Sequence, residues 1–411
     1  MAHSYQVVVI GAGAAGYLAA VRAAQRGLRT VLVEKNRKPA VKILMSGGTR
    51  CNLTQATDRR GIVAAFGPQG RFLHSALALL GPEELVALFE AEGVPTKVEA
   101  TGKVFPVSNR AVDVAAALRR MLARSGAELR LEEPVVDVTR HEQGFSIRTT
   151  RNSLLAPKVV ITSGGQSYPG CGTTGDGYAW AKAFGHRIVP PRPALVPLQS
   201  DVHWVAELRG VTVPDVEVKI HEGNAAKPAA QRRGSFLFTH FGLSGPVVMD
   251  VSRAVTERPD AGRWLAVCDF LPDRSEAQLV EQLLREAADS GKRTVAAVVA
   301  EWLPKRLAEA LVEQAGLPTD RRVAELTKAE RTLLVQALKQ TAIPIRGSLG
   351  FKKAEVTAGG VDLAEVDSRT MQSKLLPGLF LAGEILDLDG PIGGYNFQAA
   401  FSTGWLAGES V

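Results

Sequence analysis

Three glycine-rich stretches carry residue types suited to holding and tuning a redox cofactor. The first is GxGxxG at Gly11, Gly13 and Gly16, with Ala14 and Ala15 inside it, between the apolar run VVVI and an alanine-rich helical segment. In such a strand–turn–helix the first glycine makes the tight turn, the second admits a pyrophosphate, and the third lets helix and strand pack closely. The helix N-terminus then presents free N–H groups to the phosphates. Glu34, about 20 residues further on, ends the second strand TVLVE and is placed to accept hydrogen bonds from ribose hydroxyls.

The second stretch, SGGTRCNLT (Ser46 to Thr54), puts two glycines, an arginine, a cysteine and an asparagine into one short turn that suits neither helix nor strand. Gly47 and Gly48 permit close backbone approach to a ligand, while Arg50 and Asn52 can donate to anionic or carbonyl oxygens. The third, GLFLAGEILDLDGPIGGYNFQAAFSTGWLAG, reads as a strand, an acidic turn, a glycine pair and a helix of small residues. The fingerprint with its flanking elements marks dinucleotide binding, and the third stretch selects FAD over NAD. In a flavin-binding chain it places Glu384 or Asp389 near the ribityl chain and lets the backbone of Gly394, Tyr395 and Asn396 approach the pyrimidine end of the isoalloxazine. A helix N-terminus there stabilises the negative charge that reduced flavin carries near N1, by about 0.3–2 kcal/mol, too little to separate a reductase from an oxidase.

The elements that must position these residues are legible. Residues 5–35 read as strand, glycine turn, helix, strand, with the helix ending near Gly27. A second amphipathic helix, AVDVAAALRRMLARS, stops at Gly126; the alternating GFSIRTT suggests a short antiparallel layer, and KVVITSGG a buried strand. Four prolines (Pro190, Pro191, Pro193, Pro197) mark a boundary, followed by strand-like VEVKIHE and GSFLFTH and a helical region from about Ser275 to Gln340. Strand-forming, glycine-rich sequence returns at AEVTAGGV. The expected organisation is a first FAD-binding part at 1–191, an insert at 192–342, and a second FAD-binding part at 343–411. Within the insert, 192–272 has β character and 273–342 helical character.

The 411 residues are 45% hydrophobic and 22% charged, ordinary for a globular protein of two or three domains. No run approaches the apolar length of a membrane span, and a cytoplasmic location is the default expectation. Cys51, Cys171 and Cys268 are far apart with no CxxC, so a structural metal site or disulfide framework is not expected; Cys171 and Cys268 read as buried filler. The net charge is +7. Between Lys35 and Arg71 eight basic residues (Lys35, Arg37, Lys38, Lys42, Arg50, Arg59, Arg60, Arg71) face one acid, Asp58, a local excess of seven that equals the whole chain's surplus.

SGGTRCN, SYPGCGTTGDGYAWAKAFGH, FTHFGLSGP, EVTAGGV and GEILDLDGPIGGYNFQAA, in this order along nearly the whole chain, together resemble the BaiN/YhiN-like family of FAD-dependent oxidoreductases, the aminoacetone-oxidase-type flavoproteins. The resemblance implies an α/β fold: a Rossmann-type FAD-binding domain interrupted by an insert with a β-barrel part and a helical part. It implies that SGGTRCN lies along the flavin, although the family pattern has a third glycine where this chain has Thr49. Implied cofactor contacts run from Gly11, Gly13, Ala14, Ala15 and Gly16 to Glu34, Lys35 and Lys42, and through Ser46, Gly47, Gly48, Arg50, Cys51 and Asn52. They continue at Val136, at Ser163, Gly164 and Gly165, and at Gly383, Glu384, Asp389, Gly394, Tyr395, Asn396 and Phe397. Two catalytic candidates follow. Cys51 offers either a redox thiol or a thiol packed under the flavin, the latter favoured because no resolving cysteine lies nearby in sequence. His240 either faces the flavin from the insert or makes a structural hydrogen bond at a strand end. TTGDGYAWAKAFGH also resembles the succinate dehydrogenase and fumarate reductase type, with Asp176 placed to cap the following helix.

No second GxGxxG directly follows an apolar strand, the match at Gly170, Gly172 and Gly175 being preceded by SYP, so NAD(P)H would dock transiently as electron donor. Family members are linked to C=C reduction in steroid-type enones, to aminoacetone oxidation, and to uridine reduction in ribosomal RNA. The leading expectation is an NAD(P)H-driven reductase of an activated C=C bond, with rRNA uridine as its specific substrate. RNA would be met by the basic residues of 35–71 and by Arg346, Lys352 and Lys353. The alternatives are a small-molecule amine oxidase using O2, and a flavoprotein that binds RNA without turnover.

Overall fold

Val7–Ile10 is a run of four apolar β-branched residues, none more than 4% exposed, and forms the central strand β1 of a parallel sheet. Strands buried on both faces are continuously apolar in this way. A computed structural model describes residues 5–258 and 262–411, which divide into two compact units, Met1–Pro193 with Glu355–Val411 and Ala194–Ala354.

In the first unit β1 leads into α1 (Ala14–Gln25) and β2 (Thr30–Val33), which pairs in parallel with β1, Val7 opposite Thr30 and Ile10 opposite Val33. Next come α2 (Val41–Thr49), β3 (Thr54–Gln55), and the helices α3 (Arg59–Ala65), α4 (His74–Leu79) and α5 (Pro82–Ala91). The hairpin of β4 (Thr96–Val98) and β5 (Lys103–Pro106) precedes α6 (Ala111–Ser125), which Gly126 closes in the left-handed region at φ 81°. β6 (Glu128–Arg130) returns to the main sheet, while β7 (Val135–His141), β8 (Gly144–Thr149) and β9 (Ser153–Ala156) form a separate antiparallel layer. β10 (Lys158–Ile161) re-enters beside β1, followed by α7 (Asp176–Ala183) and the proline-rich β11 (Ile188–Ala194).

The second unit opens with β12 (Leu198–Gln199), α8 (His203–Glu207), β13 (Thr212–Glu222), β14 (Ala230–Thr239), β15 (Gly242–Ser244), α9 (Pro246–Glu257) and β16 (Trp264–Asp269). The helical region breaks into α10 (Glu276–Ser290), α11 (Val295–Val299), α12 (Lys305–Gln314) and α13 (Lys328–Lys339). Two of these carry capping boxes: Ser275 Oγ accepts from Gln278 N–H at 3.2 Å and Thr327 Oγ1 from Glu330 N–H at 3.2 Å. β17 (Thr341–Ile345) and β18 (Gly347–Ser348) finish a seven-stranded sheet in the order β17-β16-β13-β14-β15-β12-β18. Its two edges are separated in the chain by Arg346 alone, so one stretch of backbone serves both. The sheet therefore curls until its edges meet, as a barrel does.

The chain then returns to the first unit through β19 (Val356–Val361), paired with β11, and β20 (Leu379–Leu381), which completes the main sheet in the order β20-β10-β1-β2-β6. α14 (Tyr395–Ser410) lies against α1 through small residues: a Cβ at Gly404 would fall 2.2 Å from the Ala15 carbonyl oxygen, and one at Gly408 2.4 Å from that of Ala19. The unit boundary falls later than expected from sequence. Residues 343–354 lie in the second unit, because β17 and β18 pair with β16 and β12. Among the described residues no single helix is long and apolar enough to cross a membrane. The one bent pair with suitable composition, Gly67–Leu79 with Pro82–Ala91, buries Phe72, Leu73, Leu77, Leu85 and Phe89 in the core of the first unit.

Candidate functional site

In the first unit the loops after β1, β10 and β20 meet at one end of the sheet. Gly11 (φ 102°) lies against the turn after β10: a Cβ on it would come 2.7 Å from the Thr162 carbonyl oxygen and 3.0 Å from Ser163 Cα. Gly16 is more constrained still, its Cβ position lying 1.8 Å from the Gly11 carbonyl oxygen. Gly13 differs in kind, since a Cβ there would meet nothing within 4 Å. The middle glycine thus borders open space at the N-terminus of α1, where no side chain caps the helix and no acid lies in its first turn. Glu34 (8% exposed) braces this turn by accepting the Ala12 and Asn36 N–H groups, one on each carboxylate oxygen, both at 2.8 Å.

The SGGTRCN loop has irregular backbone, with four of its residues left-handed. α2 is helical only as far as Met45; Ser46 turns extended, Gly47 and Gly48 are left-handed, and Thr49 (φ 68°) and Cys51 (φ 61°) join them there. A left-handed conformation costs a residue with a Cβ about 1–2 kcal/mol, so surrounding structure must hold the loop. The Ala40 N–H donates to the Ala12 carbonyl at 2.9 Å, and Leu53 N–H to Val104 at 2.9 Å. The Arg50 guanidinium pairs with Glu99 at 2.6 Å and lies 4.0 Å from the centre of the Phe105 ring. Cys51 is fully buried, and burial pushes its thiol up to about 12 against the opposing hydrogen bond with Ser46. It is a protonated, packed group at neutral pH. Cys171 is pushed up as well, first by burial.

A half-buried polar cluster locks α2 to the two later loops. Lys42 Nζ donates to Ser167 Oγ at 2.6 Å and to Glu384 at 2.5 Å; the Ser167 hydroxyl donates to the other Glu384 oxygen at 2.5 Å, which also accepts the Thr357 N–H at 2.9 Å. Gly165 lies beside this carboxylate and Gly383 beside Ala15. Further on, Gly394 (φ 94°) begins α14 without a side-chain cap and packs directly on Thr54. The Asn396 side chain ties the preceding loop together, accepting Gly390 N–H at 2.8 Å and donating to its carbonyl at 2.9 Å. Asp389 is buried, and Phe397 stacks on Phe401 at 6.0 Å.

Other candidates stand elsewhere. Val136 is 43% exposed on β7, three residues beyond Glu133, whose N–H donates to the Glu34 carbonyl. Lys35 donates to Thr174 and Asp176, both at 2.7 Å. Asp176 is not the helix cap expected from sequence: Gly175 holds that position, no side chain caps α7, and Asp176 in the first turn spends its carboxylate on Lys35 and Thr174. In the second unit His240 is exposed at the turn between β14 and β15, its ring 5.0 Å from that of Phe241 and its nitrogens without a hydrogen-bond partner among the described residues.

One cluster went unnoticed in the sequence. His186 Nδ1 lies 3.0 Å from Glu365 and its Nε2 lies 2.8 Å from Ser373 Oγ. Because the carboxylate only accepts, Nδ1 carries the proton and the serine hydroxyl donates to Nε2. The spacing is that of a nucleophilic triad. However, Ser373 is 4% exposed and its oxygen also accepts the Leu375 and Leu376 N–H groups, so it has no access to a substrate. Burial holds His186 below its usual value, against the opposing pull of Glu365. The cluster is a structural pin between segments.

The ring of glycine turns fits FAD. Gly13 leaves the space a pyrophosphate needs at an uncapped helix N-terminus. Asn52 Oδ1, Thr54 Oγ1 and Ser163 Oγ are buried without a hydrogen-bond partner among the described residues, which is costly unless a bound group or water completes them. Gly11 to Gly16 and Glu34 would hold the adenine dinucleotide part, and the 46–52 loop with Gly394–Asn396 the flavin part.

The HI0933-like protein Rossmann domain family matches residues 5–410 of this chain. The chain is 34% identical to the ribosomal RNA dihydrouridine synthase of Escherichia coli (strain K12), over 99% of this chain and 98% of the relative. It is 31% identical to the 3-dehydro-bile acid delta(4,6)-reductase of Clostridium scindens, again over 99% and 98%. Among solved structures, the 3-ketosteroid-delta4-(5alpha)-dehydrogenase from Rhodococcus jostii RHA1 shares the fold, with a TM-score of 0.52 at 14% identity over 99% of this chain and 97% of that one. By this full-length match, the chain belongs to the HI0933-like Rossmann family, the BaiN/YhiN-like FAD-dependent oxidoreductases that its motifs resemble.

Proposed function

We propose that this FAD-dependent oxidoreductase is an NAD(P)H-driven reductase of a C=C bond conjugated to a carbonyl, and that it converts uridine to dihydrouridine in ribosomal RNA. The observation that carries the substrate is the 34% identity, end to end, with a relative named for that reaction. The bile-acid relative supports the reaction class. A 3-oxo steroid with a 4,6-diene and the uracil ring both place the double bond in conjugation with a carbonyl, so both accept a hydride at the β-carbon and a proton at the α-carbon. For uridine these are C6 and C5, and the balance consumes one NAD(P)H and one proton.

FAD, when bound, supplies the hydride relay between the nicotinamide and the substrate. This chain's residues supply position, charge and protons. The uncapped N-terminus of α14, worth roughly half a positive charge, favours negative charge beside Gly394–Asn396. Lys42 neutralises Glu384 within the same ring. The exposed His240 imidazole has no hydrogen-bond partner among the described residues, which leaves it available as a proton donor, and Cys51 takes a packing role. A ribosomal substrate entails a cytoplasmic location.

The test is a dihydrouridine map of ribosomal RNA from cells with and without this protein, alongside flavin bleaching by NAD(P)H under nitrogen. Loss of one modified position together with bleaching is expected. An unchanged map with bleaching and reoxidation by a small enone would favour the second reading, a small-molecule reductase, which the bile-acid relative supports. Reoxidation by air alone, with an unchanged map, would point to an oxidase.

A further inference from the structure

The hairpin of β4 and β5 belongs to no cofactor motif, yet it is fastened to the SGGTRCN loop. Leu53 N–H donates to Val104 at 2.9 Å, Ala56 N–H to Gly102 at 2.7 Å, and Arg50 reaches Glu99. Register places Lys97 opposite Phe105 and Gln55 opposite Lys103. Alternate residues share a face, so Lys97, Lys103, Gln55 and Phe105 lie on one side of this small sheet. That side meets the cofactor ring: a Cβ at Gly47 would lie 3.1 Å from the Phe105 ring, and one at Gly393 would lie 3.2 Å from Gln55 Oε1.

Two properties of this face suit a nucleic-acid strand. Lys97 and Lys103 are half-exposed and have no ion pair among the described residues, so with the Arg50–Glu99 pair neutral the face carries two unspent positive charges. The Arg50 guanidinium is laid against Phe105, with its side chain 37% exposed. Its position is fixed further by the Glu99 carboxylate and by Nε donating to the Gly47 carbonyl at 3.3 Å. A guanidinium plane so immobilised is a stacking platform for a base.

We infer that the β4–β5 hairpin is the RNA-docking element of this enzyme, with Arg50 stacking on a base beside the target uridine and Lys97 and Lys103 neutralising adjacent phosphates. This rests on the proposed RNA substrate. The charge supports RNA over a small enone, which has no phosphate for either lysine to meet.

The experiment uses the FAD-loaded full chain and a uridine-containing single-stranded RNA, with affinity measured by fluorescence anisotropy over a series of salt concentrations and normalised to bound FAD. Each phosphate contact in a single strand contributes about 0.7 to the slope of log affinity against log salt, or about fivefold in affinity at 0.1 M salt. K97Q with K103Q should therefore lower the slope by about 1.4 and weaken binding about 25-fold, leaving the flavin spectrum unchanged. R50K keeps the charge and loses the plane, so it should weaken binding about tenfold, near the low end for one stacked base, with the slope unchanged. A wild-type slope in the double lysine variant, or undiminished affinity in R50K, would overturn the inference. Wild-type protein that neither binds the RNA nor modifies uridine would instead sink the RNA substrate itself, and with it this docking role.

Discussion

Gly13→Val separates cofactor binding from folding because the three fingerprint glycines fail for different reasons. At Gly13 the backbone (φ −90°, ψ −167°) is one any residue adopts, and a Cβ meets no protein atom within 4 Å. Valine there should change the stability of the FAD-free protein by no more than about 0.5 kcal/mol, as for a surface site. The open space is the one a pyrophosphate would fill. Displacing it from the α1 N-terminus removes charge-assisted hydrogen bonds worth about 1.5–3 kcal/mol each; two of them amount to about 3–6 kcal/mol, or two to four decades in Kd. Gly16→Ala should behave in the opposite way. Its methyl would fall 1.8 Å from the Gly11 carbonyl oxygen and 2.6 Å from Thr162 Oγ1, an overpacking of about 1–3 kcal/mol. At about 2–4 °C per kcal/mol for a domain of this size, the FAD-free Tm should drop by several degrees. The assay is the yellow absorbance and the flavin released on denaturation, identified as FAD against FMN, with thermal melts of both FAD-free variants. Full FAD occupancy in Gly13→Val would refute the placement of the pyrophosphate. So would an FAD-free melt as low as that of Gly16→Ala, since the space beside Gly13 would then not be open.

Two further outcomes follow from the SGGTRCN loop. Thr49→Gly relieves a β-branched residue held at φ 68°; set against glycine's greater chain entropy, a net gain of about 0.5–1 kcal/mol is expected, and a lower melting temperature would show that Thr49 is held by more than its turn. Cys51 has a folded value of about 12, above its ordinary value of 9.0. Its contribution to stability is therefore complete below pH 9 and is lost as pH rises toward 12. The native thiol should resist iodoacetamide at pH 8 and react after unfolding, whereas rapid native alkylation would restore the redox-thiol reading.

How much was legible depended on whether the signal was local. The strand before Gly11, the helix ending near Gly27 and the helix closed by Gly126 were plain, because apolar runs and glycine punctuation act within a few residues. The start of the helical region near Ser275 was read as well, but its division into four helices, with a second capping box at Thr327, was not. The far boundary of the insert was not either, because β17 and β18 become part of the barrel only through pairing with strands far back in the chain, Thr341 with Cys268 of β16 at one edge and Ser348 with Leu198 of β12 at the other. Asp176 illustrates the same limit. An acid before a helical run reads as a cap, but Lys35, supplied by the end of another strand, takes its carboxylate instead.

The charge of the 35–71 segment shows most clearly why composition overstates a binding surface. Of its eight cations, Lys35, Lys42, Arg50 and Arg59 are spent on Asp176, Glu384, Glu99 and Glu84. Three of those partners lie 141, 342 and 49 residues away in sequence. Only Arg37, Lys38, Arg60 and Arg71 remain exposed and without an ion pair among the described residues. The local excess of cations is therefore half structural: Lys35, Lys42 and Arg50 draw distant acids onto α2 and its flanks, and Arg59 ties α3 to α5. What remains for a polyanion is a smaller set, to which the fold adds Lys97 and Lys103 from a hairpin outside the basic segment. A salt-dependence argument that counts all eight cations would predict too steep a slope, whereas one that counts the unpaired cations of the folded surface ties RNA affinity to residues that the cofactor ring does not need.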